Sequence, residues 1–213
     1  MKNIKAILFD SEGVVIDTES IWDKEQTLFL KKRGIEYNRE ELKPLLTGKS
    51  IIEVARVIKE LYNLEESVQD LADERKNNIR NLFENNVEFV DGFIDFYNKV
   101  KDEFKICIVA STKRELLDLI DKKLKLKELF GENIFCIEDI NLKSKPSPEI
   151  YQYASKILGV NVNDCLVIED SPYGIDGAKN AKMKCIGITT TYDKELLSKA
   201  DKIVDSFKEI ELL

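Results

Sequence analysis

The 213-residue chain contains no histidine, and that absence excludes more chemistry than any residue present. A serine–histidine–acid triad, an imidazole metal site and a phosphohistidine relay are all impossible. Proton transfer has to run through carboxylates, lysine, tyrosine or cysteine, and metal sites through oxygen or sulfur ligands, which favours hard cations such as magnesium. Only four cysteines occur, Cys107, Cys136, Cys165 and Cys185, with no C-x-x-C pair, so a zinc ribbon or redox motif has no support. Each sits inside a short apolar run and reads as a buried reduced thiol. No apolar stretch approaches the ~18 residues that span a bilayer, and Met1 to Phe9 alternates charge with apolar residues where a secretory signal needs an unbroken run. A cytoplasmic protein is expected. The net charge of −7, from 33 basic and 40 acidic residues without a block of one sign, argues against nucleic acid as a partner. No membrane association is expected either, and the chain is read as a monomer.

What is present is a succession of short runs rich in Ile, Val, Leu and Cys: Ala6 to Phe9, Lys105 to Ala110, Asn133 to Ile137, Cys165 to Ile168, Cys185 to Ile188 and Lys202 to Val204. Most are apolar on both faces, as strands of a covered parallel sheet are. Helix-like segments separate the later runs: Gly92 to Glu103, Arg114 to Leu129, Pro148 to Leu158, Pro172 to Ala181 and Lys194 to Lys199. The alternation predicts an α/β fold with a doubly wound parallel sheet, a Rossmann-like core formed by residues 1–16 and 90–213. Residues 17–89 contain no convincing strand. There Trp22 to Lys32, Ile51 to Leu61 and Val68 to Phe83 show helical spacing, with breaks at Gly34, Pro44 and Gly48, so an all-helical domain is inserted after the first strand.

In an open parallel sheet, loops leaving the carboxyl ends of the strands form the ligand crevice. The polar residues there are Asp10-Ser11-Glu12-Gly13 after the first strand and Ser111-Thr112-Lys113 after the second. Lys143-Ser144-Lys145-Pro146 precedes the helix at Pro148, and Glu169-Asp170-Ser171-Pro172 follows the fourth strand. Ser171-Pro172 and Ser147-Pro148 read as N-caps followed by a first-turn proline. Carboxylates gathered in one crevice repel unless they hold protons or surround a cation. Mg²⁺, which takes carboxylate, carbonyl and water oxygens and leaves room for a phosphate oxygen, resolves that conflict. A phosphorylated substrate is therefore expected, with Lys145 and the hydroxyls of Ser111 and Thr112 orienting its phosphoryl oxygens while a carboxylate attacks phosphorus.

The ordered set, Ala6 to Glu19 with Asp10-Ser11-Glu12-Gly13, then Lys145-Pro146, then Ile168-Glu169-Asp170-Ser171 with Gly174, resembles the haloacid dehalogenase superfamily of phosphotransferases over nearly the whole chain. The helical insertion is similar to the cap of the subgroup that holds β-phosphoglucomutase and many sugar-phosphate phosphatases. The resemblance implies Asp10 as nucleophile, Glu12 as general acid and base, and Lys145 as the balancing cation. It implies Mg²⁺ held by Asp10, the backbone carbonyl of Glu12, Asp170 and, directly or through water, Glu169. Cap contacts to substrate would come from Gly48, Lys49 and Ser50 and from Lys76. Three departures stand out. Glu12 replaces the family's usual aspartate, Ala110 stands where a hydroxyl is usual, and Ile51 and Trp22 occupy the places of an arginine and a hinge histidine in mutase-like caps. A Mg²⁺-dependent phosphatase of a small metabolite, a sugar phosphate foremost, is favoured over a phosphosugar mutase. Glu12 and Ala110 together leave a third reading, a binding protein that has lost turnover.

Overall fold

The structure, a computed structural model, describes residues 3–46 and 49–211. In chain order the elements are β1 (Ala6–Asp10), α1 (Glu19–Lys31), α2 (Arg39–Leu46), α3 (Ile51–Tyr62), α4 (Val68–Asn86), α5 (Phe93–Val100), β2 (Lys105–Ala110), α6 (Arg114–Leu124) and α7 (Leu126–Phe130). There follow β3 (Ile134–Cys136), α8 (Glu149–Leu158), β4 (Cys165–Glu169), α9 (Pro172–Asn180), β5 (Lys184–Ile188) and β6 (Lys202–Val204). The strands form one parallel sheet in the order β3-β2-β1-β4-β5-β6, the doubly wound arrangement that the apolar runs predict.

Covered strands need apolar residues on both faces, and β1 shows how this chain supplies them: all five of its residues are buried. Ala6 and Leu8 belong to a core with Ile150, Tyr151 and Ala154 of α8 and Ile175 and Ala178 of α9. Phe9 points to the opposite face and meets Phe93 edge to face at 5.5 Å, within an aromatic group that includes Phe96, Phe130 and Phe207. Period-two alternation thus feeds two cores from one strand. The four cysteines are free and buried.

The chain divides into two compact units. One contains the sheet and comprises the chain up to Glu19 and from Val87 onward; the other is Ser20–Asn86. The second unit is helical and has its own core, in which Phe29 and Leu30 of α1 lie with Leu42 of α2, Val54 and Ile58 of α3 and Leu71 of α4.

Four sequence expectations are corrected. Pro44 does not break a helix but lies inside α2, where its exposed position leaves the carbonyl one turn earlier to solvent. Arg114 to Leu129 is two helices, because Lys125 adopts a left-handed conformation (φ 56°) between α6 and α7. Residues 194–199 form turns rather than a helix. Pro148 is itself the N-cap of α8, so Ser147 lies outside that helix. No helix among the described residues is long and apolar enough to cross a membrane.

Candidate active site

β1 ends on Asp10 and β4 ends on Glu169, and the two strands are neighbours at the point where the strand order reverses. That is where an open α/β sheet leaves a crevice. The sequence places Asp170 directly after β4, and the three buried carboxylates offer oxygens that all lie within 4.8 Å of one another. Lys145 enters from the loop before α8 with only 5% of its side chain exposed. Its ammonium donates to Asp10 Oδ1 and, at 2.6 Å, to Glu169 Oε1. Four of the residues expected to act together are therefore in one place.

Within the cluster the carboxylates are held differently. Glu169 Oε1 also accepts the Tyr151 hydroxyl at 2.8 Å, and Oε2 accepts the Asp170 and Ser171 amides at 3.1 and 3.2 Å and the Ser171 hydroxyl at 3.0 Å. Ser171 is also the N-cap of α9, accepting from the Gly174 amide, with Pro172 at the first turn as expected. The close approach of α9 to Glu169 requires glycine at 174, since a Cβ there would lie 1.8 Å from Glu169 Oε1. Gly13 is constrained as well. Its φ is +74°, and an added Cβ would fall 1.9 Å from Asp170 Oδ2.

Burial dominates the electrostatics. It raises the Asp10 carboxyl to about 7, helped by Glu169 and opposed by Lys145. Burial, with Glu169 and Asp10, also pushes Asp170 well above the ordinary range for aspartate. Desolvation alone would lower Lys145, but Asp10 and Glu169 outweigh it and keep the ammonium charged. Three carboxyl groups thus share one cation, and their full ionisation calls for a further positive charge in the cluster. An oxygen-only donor set with excess charge fits a hard divalent ion such as Mg²⁺.

The remaining expected residues divide. Glu12 is partly exposed, and its Oε1 accepts the hydroxyl of buried Thr112. That hydroxyl has one proton, which goes to Glu12. Ser111 is exposed. In the helical unit Ser50 caps α3 in a reciprocal bond with Glu53, exposed Lys76 pairs with Asp73 at 3.3 Å, and Lys49 is exposed. Gly48 lies outside the described residues. Sequence reasoning passed over Thr190, Thr191 and Tyr151. The Thr190 hydroxyl donates to the Gly13 carbonyl at 2.5 Å, and Thr191 holds the Asp170 carboxylate. Their signal was a run of three threonines immediately after β5.

The 6-phosphogluconate phosphatase of Escherichia coli (strain K12) is 22% identical over 184 residues, covering 86% of this chain and 82% of that protein. A hydrolase of the haloacid dehalogenase (HAD) family from Deinococcus radiodurans R1, with bound phosphate and sodium, shares the fold at a TM-score of 0.84 and 23% identity, over 98% of this chain and 94% of that one. The β-phosphoglucomutase of Clostridium difficile is 27% identical with a TM-score of 0.66, over 98% and 94% of the two chains. The sequence pattern of haloacid dehalogenase-like hydrolases matches residues 7–188. That match runs from the strand bearing Asp10 to the last residue of β5, and the chain belongs to the haloacid dehalogenase-like hydrolases.

Proposed function

We propose that this enzyme, a hydrolase acting on phosphomonoesters, is a Mg²⁺-dependent phosphatase of a small phosphorylated metabolite, a sugar phosphate foremost, and that it works through an aspartyl-phosphate. The observation that carries the reading is the surplus of buried carboxylate around Lys145 at the reversal of strand order. The likeness to a phosphatase of 6-phosphogluconate supports the substrate class.

Asp10 and Asp170 would hold the ion with the Glu12 carbonyl, while Glu169, already saturated by Lys145, Tyr151 and the start of α9, reaches it directly or through water. When bound, Mg²⁺ supplies charge neutralisation among the carboxylates and polarisation of the phosphoryl oxygens. An Asp10 oxygen attacks phosphorus, the bond to the leaving oxygen breaks, and Glu12 gives that oxygen a proton. Glu12 then takes a proton from water as the water attacks phosphorus and the bond to Asp10 breaks. Lys145 balances charge at the phosphoryl group.

The test is phosphate release from p-nitrophenyl phosphate and a panel of sugar phosphates, with and without Mg²⁺, by the native protein and by Asp10→Asn. Mg²⁺-dependent release that falls by about 10⁴-fold in the variant is expected. Equal activity in Asp10→Asn rules out the nucleophile. Conversion of glucose 1-phosphate to glucose 6-phosphate without phosphate release would indicate a mutase instead.

A further inference from the structure

We infer that Thr112 is a positioning residue for Glu12, and that this contact is what makes glutamate serviceable where an aspartate would be too short to reach it. The inference rests on the reading of Asp10 as nucleophile and Glu12 as proton carrier. β1 and β2 are adjacent parallel strands with Asp10 registered against Val109, so the loops that leave them begin side by side. Glu12 lies two residues beyond the end of β1 and Thr112 two beyond the end of β2. Thr112 is buried, and its hydroxyl donates to Glu12 Oε1. A hydroxyl has a single proton to give, so a Thr112 committed to Glu12 is not a donor to phosphate.

The chemistry explains why such an anchor is needed. Glutamate has one more rotatable bond than aspartate, and Glu12 is partly exposed, so an unheld carboxyl would sample several rotamers. Fixing Oε1 on Thr112 confines the group and leaves Oε2 for proton transfer. Displacements of ~1 Å at a proton carrier are costly to turnover, so the anchor acts on kcat. A phosphate contact from Thr112 would act instead on the binding of substrate and of inorganic phosphate.

The experiment measures hydrolysis of p-nitrophenyl phosphate with Mg²⁺, and competitive inhibition by inorganic phosphate, for Thr112→Val and Thr112→Ser, each in the native chain and with Glu12→Asp. For Thr112→Val we expect kcat to fall about 10-fold or more, with KM and phosphate inhibition within about twofold. Thr112→Ser should restore kcat, and Thr112→Val should add no further loss in the Glu12→Asp background. An unchanged kcat with weakened phosphate inhibition, or full additivity with Glu12→Asp, overturns the inference. Failure of the parent reading looks different, since Asp10→Asn would then remain active. A crystal structure with Mg²⁺ and inorganic phosphate tests the contact independently of turnover. Glu12 should lie on the Thr112 hydroxyl, and a Thr112 hydroxyl bonded to phosphate overturns the inference.

Discussion

Two groups of charge are buried among the described residues, and they differ in balance. At the carboxyl end of the sheet, Asp10, Glu169 and Asp170 surround the single cation Lys145. Inside the helical unit, Glu25 of α1 meets Arg75 of α4 at 2.6 Å, with both side chains almost completely buried, and Arg75 also donates to Gln26 at 2.9 Å. Phe29 lies beneath the guanidinium, 4.9 Å from the ring centroid. Burial is the main cause that raises both Asp10 and Glu25 to about 7, so a displaced carboxyl does not by itself mark a site. The count of opposite charges separates the two. One carboxylate with one guanidinium closes on itself and holds helices together. Three carboxylates with one ammonium have a deficit that a divalent ion would fill.

Charge-removing variants test this contrast by their sign. Arg75→Met strands the Glu25 carboxylate and should cost about 3–5 kcal/mol, read as a lower urea midpoint with unchanged slope. Asp170→Asn removes a like charge and should raise the melting temperature in EDTA. Mg²⁺ should stabilise the native chain, by about 2.7 kcal/mol at a hundredfold excess over Kd, and leave Asp170→Asn almost unmoved. Destabilisation by both variants in EDTA would erase the distinction.

A smaller effect concerns pH. The ordinary values of 3.8 for Asp10 and 4.5 for Glu25 are raised to about 7 in the fold, so the folded protein keeps protons that the unfolded chain releases. These two groups contribute stability that is complete below about pH 4 and is lost as pH rises through about 7. In EDTA the melting temperature should therefore fall between about pH 5 and about pH 8. Glu25→Gln should remove one part of that slope, and Mg²⁺ the part from Asp10. A slope unaffected by either would assign it to other groups.

The six strands were legible because uninterrupted apolar runs have few other uses in a charged chain, and the crevice residues because they sit at fixed places after those strands. The helical unit was harder to read. Pro44 looks like a stop in sequence, yet a proline on an exposed turn is tolerated. Glu25 and Arg75 look like solvated charge, although each occupies an apolar stripe: Ile21, Glu25 and Phe29 are spaced by four, as are Leu71, Arg75 and Ile79. Periodicity locates a stripe, but only the packing of α1 beside α4 shows that two charges in it compensate each other. The commitment of Thr112 to Glu12 and of Thr191 to Asp170 was also hidden, because hydroxyl partners depend on which loops the sheet brings together.

A phosphatase of the proposed kind phosphorylates Asp10 beside a bound divalent ion. Fluorine NMR of the protein with Mg²⁺ and beryllium fluoride, which forms a phosphoryl-like adduct on an aspartate, reads both parts at once. Bound fluoride resonances that need Mg²⁺ and vanish in Asp10→Asn are the predicted result. Their absence from the native protein, or their persistence in the variant, would contradict it.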